Sequence, residues 1–201
     1  MTDSPSEDTA SNDVSALAER IADLVGADGW SADFGTVKVR VASERWVEVH
    51  ETLRDVLPFF SWLSAVDWSA DPAVGDPAED GTEERYEVLS RISDVTKGDS
   101  VTLSADLSKD DATIGSLIGV FGGADWHERE AHEMFGIHFE GHPNLVNLYL
   151  PDAFEGHPLR KSYPLLSREV KPWPGTVDVE DMPSTENPEA DGPASIADGD
   201  E

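Results

Sequence analysis

Six prolines within residues 141–175 constrain the fold of this chain more than any other feature. Proline lacks a backbone N–H donor and fixes φ, so it ends helices and stays out of central strands. The same segment carries ten leucine, tyrosine, phenylalanine and tryptophan side chains. An extended strip with this much apolar surface is costly in water. We therefore expect it to lie against another surface, most simply another polypeptide.

The residues before this strip predict an α+β domain, a mostly antiparallel sheet with flanking helices, followed by the long extended C-terminal segment. Apolar residues at helical spacing predict helices over 13–25, 43–57, 110–121 and 125–134. Alternating or dense apolar residues predict strands over 37–41, 59–66, 86–92 and 100–107. We divide the chain into a disordered acidic N-terminus (1–13), the α+β domain (14–140), an extended subunit-docking segment (141–175) and a disordered acidic tail (176–201).

The formal net charge of −28 lies largely in segments with few apolar residues. Residues 1–13, 71–84 and 176–201 hold 4, 6 and 9 acidic residues and no lysine or arginine. This composition buries too little apolar area to offset chain entropy, so we expect these segments to stay unfolded. Nucleic-acid binding needs clustered lysine and arginine, so we expect no nucleic-acid partner.

The sequence has no cysteine, which excludes disulfides and cysteine-ligated zinc or iron–sulfur sites. No apolar run approaches the roughly 20 residues of a membrane span. The acidic N-terminus has no apolar core, unlike a signal peptide. We therefore expect a cytoplasmic protein that meets the membrane only through partners.

A metal-dependent hydrolase is one alternative, because five of the six histidines fall between Trp126 and Gly175. His127, Glu128 and His132 resemble a zinc-hydrolase motif. However, zinc-binding histidines on one helix are four residues apart. Five residues place His127 and His132 about 140° apart around a helix, which does not suit one ion.

The charged run at Glu128, Arg129 and Glu130 has two interpretations. Acid–base catalysis would need a pocket and a displaced pKa, and the sequence indicates neither. Structural ion pairing, for example between Arg129 and Glu133 at i,i+4, is the interpretation we favour.

Two Gly-His-Pro tripeptides, at 141–143 and 156–158, are typical of corners, because glycine permits positive φ and proline stops helices. After the second, residues 156–175 are locally basic, with Arg160, Lys161, Arg168 and Lys171. Guanidinium groups suit carboxylates on a partner, although these charges could also offset neighbouring acidic segments.

Four blocks of this region resemble the signature of the C subunit of respiratory complex I, the 30 kDa subunit family of NADH-quinone oxidoreductase. Their order and spacing match over the region from Trp126 to Gly175. The residues that carry the resemblance are Glu128, Arg129, Glu130, Met134, Phe135, Gly136, His142, Pro143, Gly156, His157, Pro158, Leu159, Arg160, Lys161, Tyr163 and Pro164.

This resemblance implies a structural subunit of the peripheral arm, with those sixteen residues at the subunit interface and no catalytic residue of its own. It implies the D subunit of complex I as principal partner, together with the B subunit and other peripheral-arm subunits. FMN, iron–sulfur clusters, NADH and quinone would belong to the proton-translocating complex, with none bound by this chain. The location would be peripheral, on the cytoplasmic side of the cell membrane. Membrane hydrogenase and coenzyme F420 (F420H2) dehydrogenase complexes, whose related subunit has the same scaffold role, remain alternatives.

Overall fold

The computed structural model describes residues 7–27, 29–69 and 84–164, with side chains from Val14 onward. The predicted acidic tail (176–201), most of the predicted acidic loop and the last part of the predicted docking segment (165–175) lie outside the described residues. The elements are α1 (Glu7–Val25), β1 (Gly29–Asp33), β2 (Thr36–Arg40), a 3-10 turn (Ser43–Arg45), α2 (Trp46–Arg54), β3 (Phe59–Asp67), β4 (Arg85–Asp94), β5 (Asp99–Ser108), β6 (Thr113–Gly115), α3 (Ala124–Phe135) and β7 (His138–Glu140).

Five of the described strands form one sheet in the order β1-β2-β5-β4-β3. Neighbouring strands in this sheet are antiparallel, except that β2 and β5 are parallel. α1 packs on β1 and β2, whereas α3 packs on β3 at the other end of the sheet. The prediction of an α+β fold with a mostly antiparallel sheet is therefore confirmed.

Periodic apolar residues build the core between the sheet and its helices. Ile21 of α1, together with Trp46 and Leu53 of α2, is fully buried against inward-facing strand residues such as Val39 and Leu103. The helical and alternating patterns indicated these faces because a 3.6-residue or two-residue repeat places apolar side chains on one side.

The predicted helix over 110–121 is wrong. Thr113–Gly115 instead forms β6, which pairs in parallel with β7, and turns follow it. Leu117 and Phe121 are still buried, so their spacing reflects burial rather than a helix. The carboxylate of Glu128 accepts the Leu117 N–H, which gives this backbone a partner outside any helix.

Three other differences concern short or weakly patterned elements. β1 is largely exposed and β7 has three residues, so neither has the apolar alternation that predicts a strand. α1 begins at Glu7 rather than at residue 13, where the sequence predicted its start. The predicted division into domains stays a prediction. The described part of the docking segment, 141–164, consists of turns and bends.

Candidate subunit-docking site

Two charged side chains of α3 fix the first part of the docking segment to this helix. The Arg129 guanidinium donates to the carbonyl oxygens of Val146 and Asn147, both at 2.9 Å. One helical turn later, Glu133 accepts hydrogen bonds from three consecutive backbone amides, those of Leu148, Tyr149 and Leu150. Both charged side chains therefore satisfy backbone groups of the segment, in place of the hydrogen bonds that a helix or strand would provide.

Glu133 is almost fully buried, yet its pKa is lowered. Burial raises its pKa, but the amides of Tyr149, Leu150 and Leu148 and the charge of Arg129 together lower it below the ordinary value. A carboxylate that accepts several backbone N–H groups is stabilised in its charged form. Arg129 and Glu133, which the sequence predicted to pair, thus interact through their opposite charges. The hydrogen bonds of both side chains are made to the docking segment.

The C-terminal end of α3 holds the second Gly-His-Pro corner. Gly136 ends the helix with φ of 76°. His157 donates through Nδ1 to the Glu133 carbonyl at 2.8 Å, and Arg160 donates through Nε to the Phe135 carbonyl at 2.6 Å. The Leu159 amide donates to the Met134 carbonyl at 3.1 Å. Three terminal carbonyls of α3, which lack partners within the helix, are therefore satisfied by the docking segment.

A second contact fastens the segment to the sheet. The Lys161 amide donates to Asp67 Oδ2 at 3.0 Å, and the same carboxylate is within 3.0 Å of Lys109 Nζ. Burial raises the pKa of Asp67, but Ser69, Lys161 and Lys109 outweigh it, so the net effect is a lowered pKa. The guanidinium of Arg160 also lies over the ring of Tyr86, 5.7 Å from its centre.

Glu128 occupies a different environment, on the buried face of α3. It accepts hydrogen bonds from the Ser116 hydroxyl at 2.6 Å and the Leu117 amide at 2.5 Å. Burial nevertheless raises its pKa to about 7, because these donors do not compensate and the Asp125 charge adds to the effect. His142 Nε2 lies 3.2 Å from Asp125 Oδ1 and 4.0 Å from Glu128 Oε2.

The His142 ring has a defined tautomer when neutral. Its Nδ1 accepts the Asn144 amide at 3.1 Å, so the proton is on Nε2, which faces the Asp125 carboxylate. The first Gly-His-Pro corner therefore joins the docking segment to the N-terminal half of α3, as the second joins it to the C-terminal end.

The outer surface of α3 and the segment expose large apolar side chains. Trp126 is 68% exposed and Tyr149 is 64% exposed, and both line a groove of about 400 Å³. Val146 and Leu159 are also about half exposed. Exposed aromatic residues beside a polar rim are typical of protein–protein contact surfaces.

The structure sorts the sixteen predicted interface residues by exposure. Glu128 and Phe135 are buried within this chain. The half-buried members are Arg129, Glu130, Met134, Gly136, His142, His157, Pro158, Arg160 and Tyr163. The exposed members are Pro143, Gly156, Leu159, Lys161 and Pro164. An interface role for these residues stays a prediction.

Trp126, Glu133, Asp67 and Tyr149 are among the residues of this site that were not predicted from the sequence as site residues. Glu133 had a signal, since it is i+4 from Arg129, but its partners are backbone amides 15 to 17 residues away. Asp67 is 94 residues from Lys161, so no local pattern could have found it.

The three residues of the hydrolase alternative diverge. His127 Nδ1 donates to the Leu63 carbonyl and His132 Nδ1 to the Ile137 carbonyl, while Glu128 accepts from Ser116. Within the described ranges, no three metal-binding side chains come together as a metal site. None of the described helices is long and apolar enough to cross a bilayer.

Fold and site together define an α+β protein whose charged helix holds an irregular C-terminal segment beside an exposed aromatic groove. The chain belongs to the family described as respiratory-chain NADH dehydrogenase, 30 Kd subunit, whose sequence profile matches residues 39–169. The predicted family is therefore confirmed.

Individual relatives agree with this assignment. The C subunit of NADH-quinone oxidoreductase from Citrifermentans bemidjiense is 37% identical over 143 residues, which cover 70% of this chain and 82% of the relative. The C/D subunit of NADH-quinone oxidoreductase from Chromohalobacter salexigens is 35% identical over 67% of this chain but only 23% of its own length. A solved trypsin-resistant fragment of Nqo5 shares the fold, with a TM-score of 0.53, 24% identity, and coverage of 64% of this chain and 99% of the fragment.

Proposed function

We propose that this chain is a non-catalytic structural subunit in the peripheral arm of a proton-translocating NADH-quinone oxidoreductase, where it supports the quinone-site module. The observation that supports the scaffold role is that residues of the family signature hydrogen-bond to the backbone of this chain. Arg129, His157 and Arg160 are committed to backbone carbonyls of the chain itself. Side chains used in this way hold a surface in shape and are not free for proton transfer to a substrate.

The D subunit of the complex is the principal partner in this proposal, with the B subunit and other peripheral-arm subunits as further neighbours. Support comes from the relative whose name combines C and D, in which the matched region is a small part of a longer chain. Two proteins that occur as one chain in a relative are commonly neighbours when separate. The docking face would be the exposed side of α3 and residues 141–164.

The cofactors would belong to the assembly. NADH, FMN, iron–sulfur clusters and quinone would be handled by other subunits, and this chain would hold none of them. Its position would be peripheral, on the cytoplasmic side of the cell membrane, reached through its neighbours.

Affinity purification of the tagged chain from mildly solubilised membranes tests this function. We expect a flavin- and iron-containing complex that oxidises NADH with quinone as acceptor. Recovery of the chain alone, or of a complex that oxidises hydrogen or reduced coenzyme F420 instead of NADH, would contradict the proposal. Isolated chain should show no NADH oxidation, and turnover by the chain alone would overturn the non-catalytic role.

A further inference from the structure

The exposed groove on α3 has two aromatic walls and a carboxylate. Trp126 and Glu130 are one helical turn apart, so their side chains are neighbours on the helix surface. Tyr149 lies beside them because Glu133 holds its amide at 3.0 Å. These three residues line the groove together with His127 and Leu148.

The polar groups of this groove are hydrogen-bond acceptors. Glu130 is half-buried, and among the described residues its carboxylate has no hydrogen-bond or ion-pair partner. His127 donates through Nδ1 to the Leu63 carbonyl at 3.2 Å, so Nε2 of the neutral ring is an acceptor. The faces of Trp126 and Tyr149 carry negative quadrupole charge, which attracts cations. Carboxylate, imidazole acceptor and aromatic faces together favour a cationic donor.

We propose that this groove binds an arginine side chain of the neighbouring subunit, an inference that rests on the proposed function. A guanidinium is planar and weakly hydrated, so it stacks on aromatic rings and brings five N–H donors to nearby acceptors. A lysine ammonium is more strongly hydrated and lacks the planar face. The net charge of −28 also favours a basic contact on the partner.

The nearby described arginine does not fill this role. Arg129 lies next to Glu130 in sequence, but its guanidinium donates to the carbonyls of Val146 and Asn147. A helix also directs adjacent residues about 100° apart, so Arg129 and Glu130 face different directions. The arginine that completes the groove therefore comes from outside the described part of this chain.

Photo-crosslinking in the intact complex tests the location. A benzophenone amino acid replaces Tyr149, and in a second strain Trp126, and crosslinked peptides are identified after purification of the complex. We expect a peptide of a neighbouring subunit that contains arginine at or next to the crosslink. A crosslink to a partner peptide without arginine, to Arg168 or Lys171 of this chain, or to no protein in an intact complex would overturn the inference and leave the proposed function standing.

Charge removal tests the chemistry. Complex lacking this subunit is titrated with purified chain, and the affinity of Glu130→Gln is compared with that of Glu51→Gln, an exposed carboxylate on α2. We expect Glu130→Gln to weaken binding about tenfold and Glu51→Gln less than about twofold. Replacing the crosslinked partner arginine by glutamine should weaken binding similarly and make the Glu130→Gln effect disappear. Additive effects of the two substitutions would overturn the inference, whereas failure of the wild-type chain to bind would overturn the proposed function as well.

Discussion

The Nε atom of Arg160 donates a hydrogen bond to the carbonyl oxygen of Phe135, 2.6 Å away and 25 residues earlier in the chain. This carbonyl belongs to the last residue of α3, where the negative end of the helix dipole favours a cation. One bond therefore satisfies the last carbonyl of the helix and positions the second Gly-His-Pro corner.

Arg160→Gln should loosen this corner. We expect the free energy of unfolding to fall by about 1–2 kcal/mol, because a charge-assisted hydrogen bond is lost. Hydrogen exchange at the amides of Leu159 and Lys161 should become faster, as both donate to partners that this corner brings close. Arg54→Gln, an exposed arginine at the end of α2, is the control. Unchanged exchange at both amides would contradict the role of Arg160.

Glu133→Gln should detach the segment at its centre. The amide group has one acceptor oxygen, and its NH2 would face backbone donors such as the Tyr149 amide. We expect a loss of about 2–3 kcal/mol in chemical unfolding, against a small effect for Glu51→Gln. Because the folded-state pKa is lowered, the contribution of Glu133 is present above its ordinary pKa of 4.5 and is lost as pH falls through the folded value. If the difference in unfolding free energy between wild type and Glu133→Gln grew on acidification, this account would be contradicted.

Glu128→Gln should have the opposite pH dependence. Burial raises the folded-state pKa from 4.5 to about 7, so the stabilisation from the protonated form is complete below pH 4.5 and is lost as pH rises through about 7. Glutamine keeps the acceptor for Leu117 and does not titrate. Relative to wild type, the variant should gain stability as pH rises, on the order of 3 kcal/mol at full ionisation.

Urea unfolding of both proteins between about pH 5.5 and pH 8 measures this difference. Asp125 and His142 lie beside this carboxyl and are present in both proteins. Parallel stability curves over this range would show that Glu128 does not titrate there.

Gly136→Ala should cost more than Gly141→Ala. Both glycines have positive φ, 76° and 84°, so alanine at either position carries the left-handed backbone penalty of about 1–2 kcal/mol. A methyl group at 136 would in addition clash with the Arg160 guanidinium and lie 2.7 Å from His157 Nε2, whereas at 141 it would meet no described atom within 4 Å. We expect the midpoint temperature of thermal unfolding to fall several degrees further for Gly136→Ala than for Gly141→Ala. Equal losses would mean that Arg160 and His157 both move aside freely.

Periodicity predicted the elements that meet the core. The strand over 59–66 and the helix over 125–134 match β3 and α3 closely, because dense or helically spaced apolar residues indicate burial on one face. The same signal failed at 110–121. Ile114 and Leu117 are buried there, but they lie in a strand and in the turn that follows it, not in a helix. The spacing of apolar residues indicates which residues are buried. Over a short glycine-containing stretch it does not distinguish a helix from a strand and turn.

The α+β class, the family and the non-helical path of a proline-rich C-terminal segment all follow from the order of the amino acids, because periodicity, motif spacing and proline are local properties. The folded arrangement was needed to find that 141–164 lies along α3, that Glu133 gathers amides of the segment, and that Glu128 and Phe135 are buried. The physical reason is that backbone N–H and carbonyl groups are the same in every residue except proline, which has no N–H. Which ones a charged side chain satisfies depends on the three-dimensional path of the chain, and no sequence pattern records it.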